Sequence, residues 1–308
     1  MSGTGRALWC RCGGAVIIAT GLLVASGRAQ SRPEKQDLLW KKLEAEIARI
    51  DERFDGVMAV AIKDLTDGRV YGLHADEIMP TASMIKIAVL AELYRQRRLD
   101  EVYVVEVKDV VAGSDIMKGL TPGVTRLTFR DLATMMMAVS DNSATNVLID
   151  RLGMDRVDQL LDGLGLRATR LKRKMMDLKA ATEGRENVAT PRETVGLLEA
   201  IYRGQVVSGA DKDGLLEMLG THKESDIARG LPEDVRIATK TGSLEGVRNE
   251  GGIVFATRRP FAIVVMTTFA ADGSAAQRVI SDVVRAAYPY FERVGRASEY
   301  GRVISPKN

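Results

Sequence analysis

The sequence predicts an α+β fold: an antiparallel sheet built from both chain ends with flanking helices, plus a helical lobe inserted between the two sets of strands. Strand-like runs occupy residues 56–73 and return at 236–269. Helical periodicity fills the stretch between them. No internal repeat competes with this reading.

Taken in order, residues 37–54 form an amphipathic helix with Leu39, Leu43, Ile47 and Ile50 on one face. Residues 56–62 read as a strand, and Thr66-Asp67-Gly68 turns the chain into a second strand through Val70 and Tyr71. A tight turn after Pro80 then opens an apolar helix. Thr81 or Ser83 is its expected cap, and Ile85, Val89 and Leu90 its buried stripe. Residues 101–124 are irregular. Helices are expected at 128–137, 143–152 and 157–164. Residues 170–190 lack apolar periodicity and read as a long loop, a feature usually functional inside a compact domain. Pro191 starts a helix to Tyr202, and 213–219 is a short one. Strands follow at 236–241, 251–256 and 260–269, then a last helix over 275–288. The helical lobe is thus about residues 79–224, and the cleft between lobe and sheet is the expected site.

Residues 1–29 have the pattern of a signal peptide: Arg6 and Arg11, an apolar run from Ala15 to Ala25, and small residues at Gly27 and Ala29. An uncleaved anchor is the alternative. Cleavage leaves residues 30–308 as a single catalytic domain without cysteine, since Cys10 and Cys12 both precede the cut. The expected location is the periplasm or the exterior. The chain has 44 Lys and Arg against 41 Asp and Glu, and the three extra cations (Arg6, Arg11 and Arg28) all belong to the leader. A balanced remainder offers nothing for a nucleic-acid partner.

Three polar clusters interrupt otherwise structural segments. Ser83 and Lys86, three apart, share a helix face. A lysine desolvated by an apolar helix loses part of its preference for the charged form and can take a serine proton. Ser140-Asp141-Asn142 stands between two helices, where an ordinary cap would have the same composition. Lys240-Thr241-Gly242-Ser243 ends a strand and begins a turn. Each cluster alone has a structural explanation. Together they fall in the order Ser-x-x-Lys, Ser-Asp-Asn, Lys-Thr-Gly, separated by 57 and 100 residues. His74 and His222 stand in no recognisable triad setting, and no zinc motif or cysteine is available, so metal hydrolysis is not expected. Residues 163–168 imitate a dinucleotide fingerprint but follow a helix, not a strand.

That order of motifs resembles the penicillin-recognising serine enzymes, and from about residue 36 to 290 the chain is similar to the class A β-lactamases. The resemblance implies the β-lactamase/transpeptidase-like fold and an acyl-enzyme mechanism. It makes Ser83 the nucleophile, Lys86 its activating partner, and Ser140 the proton relay to the leaving nitrogen. Asn142 would hold Lys86 and the substrate amide. Lys240 would support Ser140 and, with Thr241, receive the substrate carboxylate. Gly242, Ser243 and Arg248 complete the binding set, with Arg248 equally readable as a solvated edge charge. The backbone N–H groups of Ser83 and Ser243 would form the oxyanion hole. No cofactor or metal is implied. The expected partner is a β-lactam or a peptide ending in D-Ala-D-Ala, and the protein is expected to be a monomer.

One departure stands out. The family carries a glutamate, in the loop before Pro191, that holds the deacylating water. Aligning Arg173 with the family's loop arginine puts Met175 there and Lys179 at its asparagine partner, within a residue or two. Asp177, Glu183 and Glu186 are the nearby carboxylates. Slow deacylation is therefore expected. A D-alanyl-D-alanine peptidase, and an acylated sensor or binding module without turnover, stay open as alternatives.

Overall fold

The structure, a computed structural model, describes residues 34–298 and 300–303 together with Met1. Residues 2–33, which hold the expected signal peptide and both cysteines, lie outside the described residues. Among the described residues no helix is long and apolar enough to cross a membrane.

Helix α1 (Glu34–Asp51) leads into β1 (Val57–Asp64) and β2 (Val70–Leu73). A two-residue strand β3 (Met79–Pro80), a 3₁₀ turn (Ala82–Ile85) and α2 (Lys86–Gln96) follow. The lobe continues through β4 (Val102–Val104), β5 (Arg126–Thr128), α3 (Phe129–Ala138), α4 (Asn142–Leu152) and α5 (Met154–Gly163). It closes with α6 (Leu178–Thr182), β6 (Val188–Ala189), α7 (Pro191–Tyr202) and α8 (Ala210–Leu219). After the short α9 (Asp226–Arg229) come β7 (Ile237–Leu244), β8 (Val247–Val254), β9 (Phe261–Thr268) and α10 (Gly273–Arg296).

The five long strands form one antiparallel sheet in the order β2-β1-β9-β8-β7. The two chain ends therefore meet where β1 pairs with β9, as the sequence implied. Both faces of these central strands are buried, so they read as continuous apolar runs. Met58, Val60, Ile62, Ile263 and Val265 pack on one side against α1 and α10. Ala59, Ala61, Val264 and Met266 face the helical lobe.

Five expectations need correction. Neither Thr81 nor Ser83 caps a helix; Thr81 instead donates to the carbonyl of Asn187 at 3.1 Å. Helix α2 is buried from Lys86 to Tyr94, not along one stripe, because the lobe wraps it. Residues 240–243 lie inside β7, and the turn is Glu245-Gly246. The next strand starts at Val247, four residues early, so Arg248 is a strand residue. Gly242 looked like a turn glycine but serves close packing: a Cβ there would lie 2.5 Å from the Thr81 carbonyl oxygen. The last helix also runs past Pro289 to Arg296. Proline removes one donor, but Tyr290 and Phe291 bury their rings against Trp40 and Phe261, with Phe261 and Phe291 stacked at 3.9 Å.

Candidate active site

Ser83 lies on the 3₁₀ turn that joins β3 to α2. Ala82 just before it has φ 48°, a left-handed conformation that costs a non-glycine residue about 1–3 kcal/mol and persists where the surroundings enforce it. The surroundings are close on three sides. Gly242 presses β7 against the turn, Asn249 of β8 donates to the Pro80 carbonyl at 2.8 Å, and Thr81 N–H donates to Asn187 at 2.9 Å. Ser83 is left half-buried.

Lys86, one turn on, is 0 % exposed, a fuller desolvation than its sequence context suggests. Its ammonium donates to the Ser140 carbonyl (2.7 Å), the Ser140 hydroxyl (3.0 Å) and Asn142 Oδ1 (2.9 Å). Burial pushes it well below the ordinary lysine value, helped by the nearby Lys240 and opposed by Asp141. Lys240 reaches the same Ser140 hydroxyl from β7 at 3.1 Å and the Thr241 carbonyl at 2.9 Å. It too is fully buried. Desolvation, then the charge of Lys223, brings it down to about 7.

A serine hydroxyl has two lone pairs and one proton. With Lys86 and Lys240 both donating to Ser140 Oγ, its own O–H is the group left to donate. Ser140 itself has φ 57°. The strain is held by Asp141, whose carboxylate caps α4 at Ala144 N–H (2.9 Å) and also accepts the N–H groups of Ile116 (3.1 Å) and Met117 (3.0 Å). The segment 111–117 so wraps the start of α4, and Asn142 donates to the Ala112 carbonyl at 3.1 Å. Lys86, Ser140, Asn142 and Lys240, drawn from three distant segments, are thus joined by hydrogen bonds, with Ser83 on the turn just before Lys86.

Thr241 is half-buried and Ser243 exposed on β7, which ends the sheet, so alternate backbone groups of that strand have no strand partner. Arg248 pairs with Ser243 across the ladder and donates Nε to Asp226 at 2.6 Å. It is not the solvated edge charge that sequence allowed. His74 is engaged with the Met58 carbonyl at 3.0 Å and His222 is exposed; neither hydrogen-bonds a member of this constellation. Among the described residues no group of His, Cys, Asp or Glu is arranged to hold a metal ion.

The loop of residues 170–190 is closed at its neck by reciprocal bonds between Arg170 and Val188 (2.8 and 3.2 Å). Pairing of β6 with β3 straps it beside the Ser83 turn. Asn146 clamps Met175 within it: its Oδ1 accepts Met175 N–H at 2.8 Å and its Nδ2 donates to the Met175 carbonyl at 3.0 Å. Asn146 stands one turn after Asn142 on α4, so the clamp brings Met175 to the wall that carries Lys86. The spacing of these two asparagines was a signal available in the sequence. Met175 is 7 % exposed and packs with the lobe core, whereas Met176 is exposed. The carboxylates point elsewhere. Asp177 caps α6 at Ala180 N–H (2.9 Å), Glu183 pairs with Arg185 (2.6 Å) and Glu186 with Arg173 (2.7 Å). Lys179 is exposed on α6.

A family model described as "Beta-lactamase enzyme family" matches residues 42–291. The chain belongs to that family. A β-lactamase of Streptomyces fradiae is 28 % identical over 286 residues, covering 88 % of this chain and 92 % of the relative. Among solved structures, a β-lactamase from Sphaerobacter thermophilus is 31 % identical with a TM-score of 0.74, covering 80 % of this chain and 96 % of that one. An ancestral class A β-lactamase superposes with a TM-score of 0.75 at 27 % identity, over 81 % of this chain and all (100 %) of the other. PBP-A, at 24 % identity and a TM-score of 0.74, shares the fold. The protein is a serine hydrolase of the β-lactamase type, with the β-lactamase/transpeptidase-like fold.

Proposed function

We propose that this family member is acylated at Ser83 by β-lactams and releases the acyl group slowly. The observation that carries this reading is the contrast around Ser140 and Met175: a hydroxyl bridged by two buried lysines on one side, and a thioether held inward on the other. In the acylation step Lys86, in its neutral form, takes the Ser83 proton. Ser83 Oγ bonds to the lactam carbonyl carbon while backbone N–H groups of Ser83 and Ser243 receive the oxyanion. The carbon–nitrogen bond then breaks. Ser140 passes its proton to the nitrogen and is reprotonated from the lysines. Lys240, Thr241 and Arg248 hold the substrate carboxylate. Hydrolysis of the ester needs a base beside a water, and a thioether cannot accept a proton at neutral pH.

The methionine equally favours a second substrate class, peptides ending in D-Ala-D-Ala, with β-lactams as slow inhibitors. We further propose export, from the basic, apolar and small-residue pattern of residues 1–29.

The test is intact-mass analysis after mixing with a penicillin. A single adduct is expected, absent in Ser83→Ala. An adduct that persists in that variant removes Ser83 from the mechanism.

A further inference from the structure

Glu250 on β8 and Asp226 at the start of α9 are fully buried carboxylates that take no part in the chemistry above. A carboxylate is costly to bury unless it is well paired, so each needs a partner that explains it. Glu250 accepts the Ser225 hydroxyl at 2.5 Å and the N–H groups of Asp226 and Ile227 at 2.7 and 2.9 Å. Those are first-turn amides that α9 cannot satisfy internally, so Glu250 fastens α9 to the sheet. Ser281 of α10 adds a bond to the Asp226 carbonyl at 2.8 Å. With the backbone of Asp226 held from both sides, its side chain is rigidly aimed. Oδ2 accepts Arg248 Nε at 2.6 Å and Oδ1 accepts Arg229 Nη1 at 3.0 Å.

Arg248 is opposite Ser243, and Glu250 opposite Thr241, in the β7–β8 ladder. Side chains alternate along a strand, so Thr241, Ser243, Arg248 and Glu250 share one face. Arg248 is 17 % exposed and, with Ser243, lines a cavity of about 310 Å³ at the end of β7. Among the described residues nothing hydrogen-bonds its two terminal nitrogens. A guanidinium fixed through Nε presents its outer N–H groups as a planar fork, which matches a carboxylate.

We propose that Asp226 is a positioning residue for substrate recognition: it holds Arg248 so that the fork of the guanidinium meets the substrate carboxylate at the Thr241–Ser243 end of β7. The inference rests on the reading above that carboxylate-bearing β-lactams acylate this chain. If Asp226 only neutralised a buried arginine, its loss would weaken folding and treat all substrates alike.

The experiment compares second-order acylation rates for benzylpenicillin and its uncharged methyl ester in the natural protein, Asp226→Asn, Arg248→Ala and the double variant. The natural protein is expected to favour the free acid. Asp226→Asn is expected to lower the free-acid rate about tenfold, the scale of a charged hydrogen bond, and to change the ester rate less than about twofold. It should have little further effect once Arg248 is alanine. Equal losses on both substrates, unchanged discrimination, or no discrimination in the natural protein would overturn the proposal. Should the Asn variant not fold, Asp226→Glu keeps the charge and shifts the carboxylate by one methylene. Discrimination must then fall, and its retention overturns the proposal. If neither compound acylates the natural protein, the functional reading fails; if both do and Asp226 is inert, only this inference fails.

Discussion

Lys86 and Lys240 turn their ammonium groups toward one hydroxyl from α2 and β7, whereas the loop of residues 170–190 turns a thioether inward and its carboxylates outward. The two regions face the same cleft but are organised by different physics. On the lysine side, full burial lowers both proton affinities first, and neighbouring cations add to it, Lys240 beside Lys86 and Lys223 beside Lys240, so charge is costly and protons are easily passed. On the loop side, hydrogen bonds fix the backbone as firmly: Asn187 Oδ1 accepts the N–H groups of Lys172 and Arg173 at 2.8 and 3.0 Å, and Asn146 clamps Met175. Order alone therefore does not make a wall catalytic. The difference lies in what the ordered backbone presents.

Variants can break this contrast from either side. Lys86→Met, which keeps the stem volume, should slow acylation by about two to four orders of magnitude, the usual worth of a general base. Stopped-flow acylation measures it, and near-normal rates in a folded variant assign the base elsewhere. Met175→Glu should speed acyl-enzyme release by up to a similar factor, about 3–5 kcal/mol of barrier, with a smaller effect on acylation. Changing Asp177, Glu183 or Glu186 to its amide should leave release nearly untouched, because each is already engaged away from the cleft. An amide variant that abolishes turnover would place the base in the loop after all.

A subtler effect concerns stability. Lys240 sits at about 7 in the folded protein against 10.5 for a free lysine. Between those values the unfolded chain binds the extra proton, so the stability contributed at this position rises with pH across the window and is poorest below it. Lys240→Met should therefore gain most in Tm over the natural protein below pH 7 and lose that advantage as pH approaches 10. A calorimetric series checks the trend; an advantage independent of pH would mean that Lys240 is not the titrating group.

Much of this is legible in the sequence. Periodicity located α1, α3, α4 and α7, and three short motifs in order marked Ser83, Lys86, Ser140, Asn142 and Lys240 for the cleft that the fold assembles. What escaped had a common cause: residues whose partners are distant in sequence. Gly242 imitated a turn because its neighbour, the Thr81 carbonyl, is over 160 positions away. The last helix was ended at residue 288 because the aromatic packing that carries α10 onward comes from Trp40 of α1 and Phe261 of β9. Arg248 was set outside its strand because its ladder partner, Ser243 of β7, had been read as part of a turn. Asn146 has its partner, the Met175 backbone, 29 positions away in the loop.

The most direct test of the central claim is a pre-steady-state time course with a chromogenic β-lactam at excess substrate. The account predicts a burst of about one equivalent per protein, then slow turnover, with Met175→Glu raising the slow phase more than the burst rate. Rapid linear hydrolysis without a burst in the natural protein would contradict it, because deacylation would then be at least as fast as acylation with a methionine at the loop position.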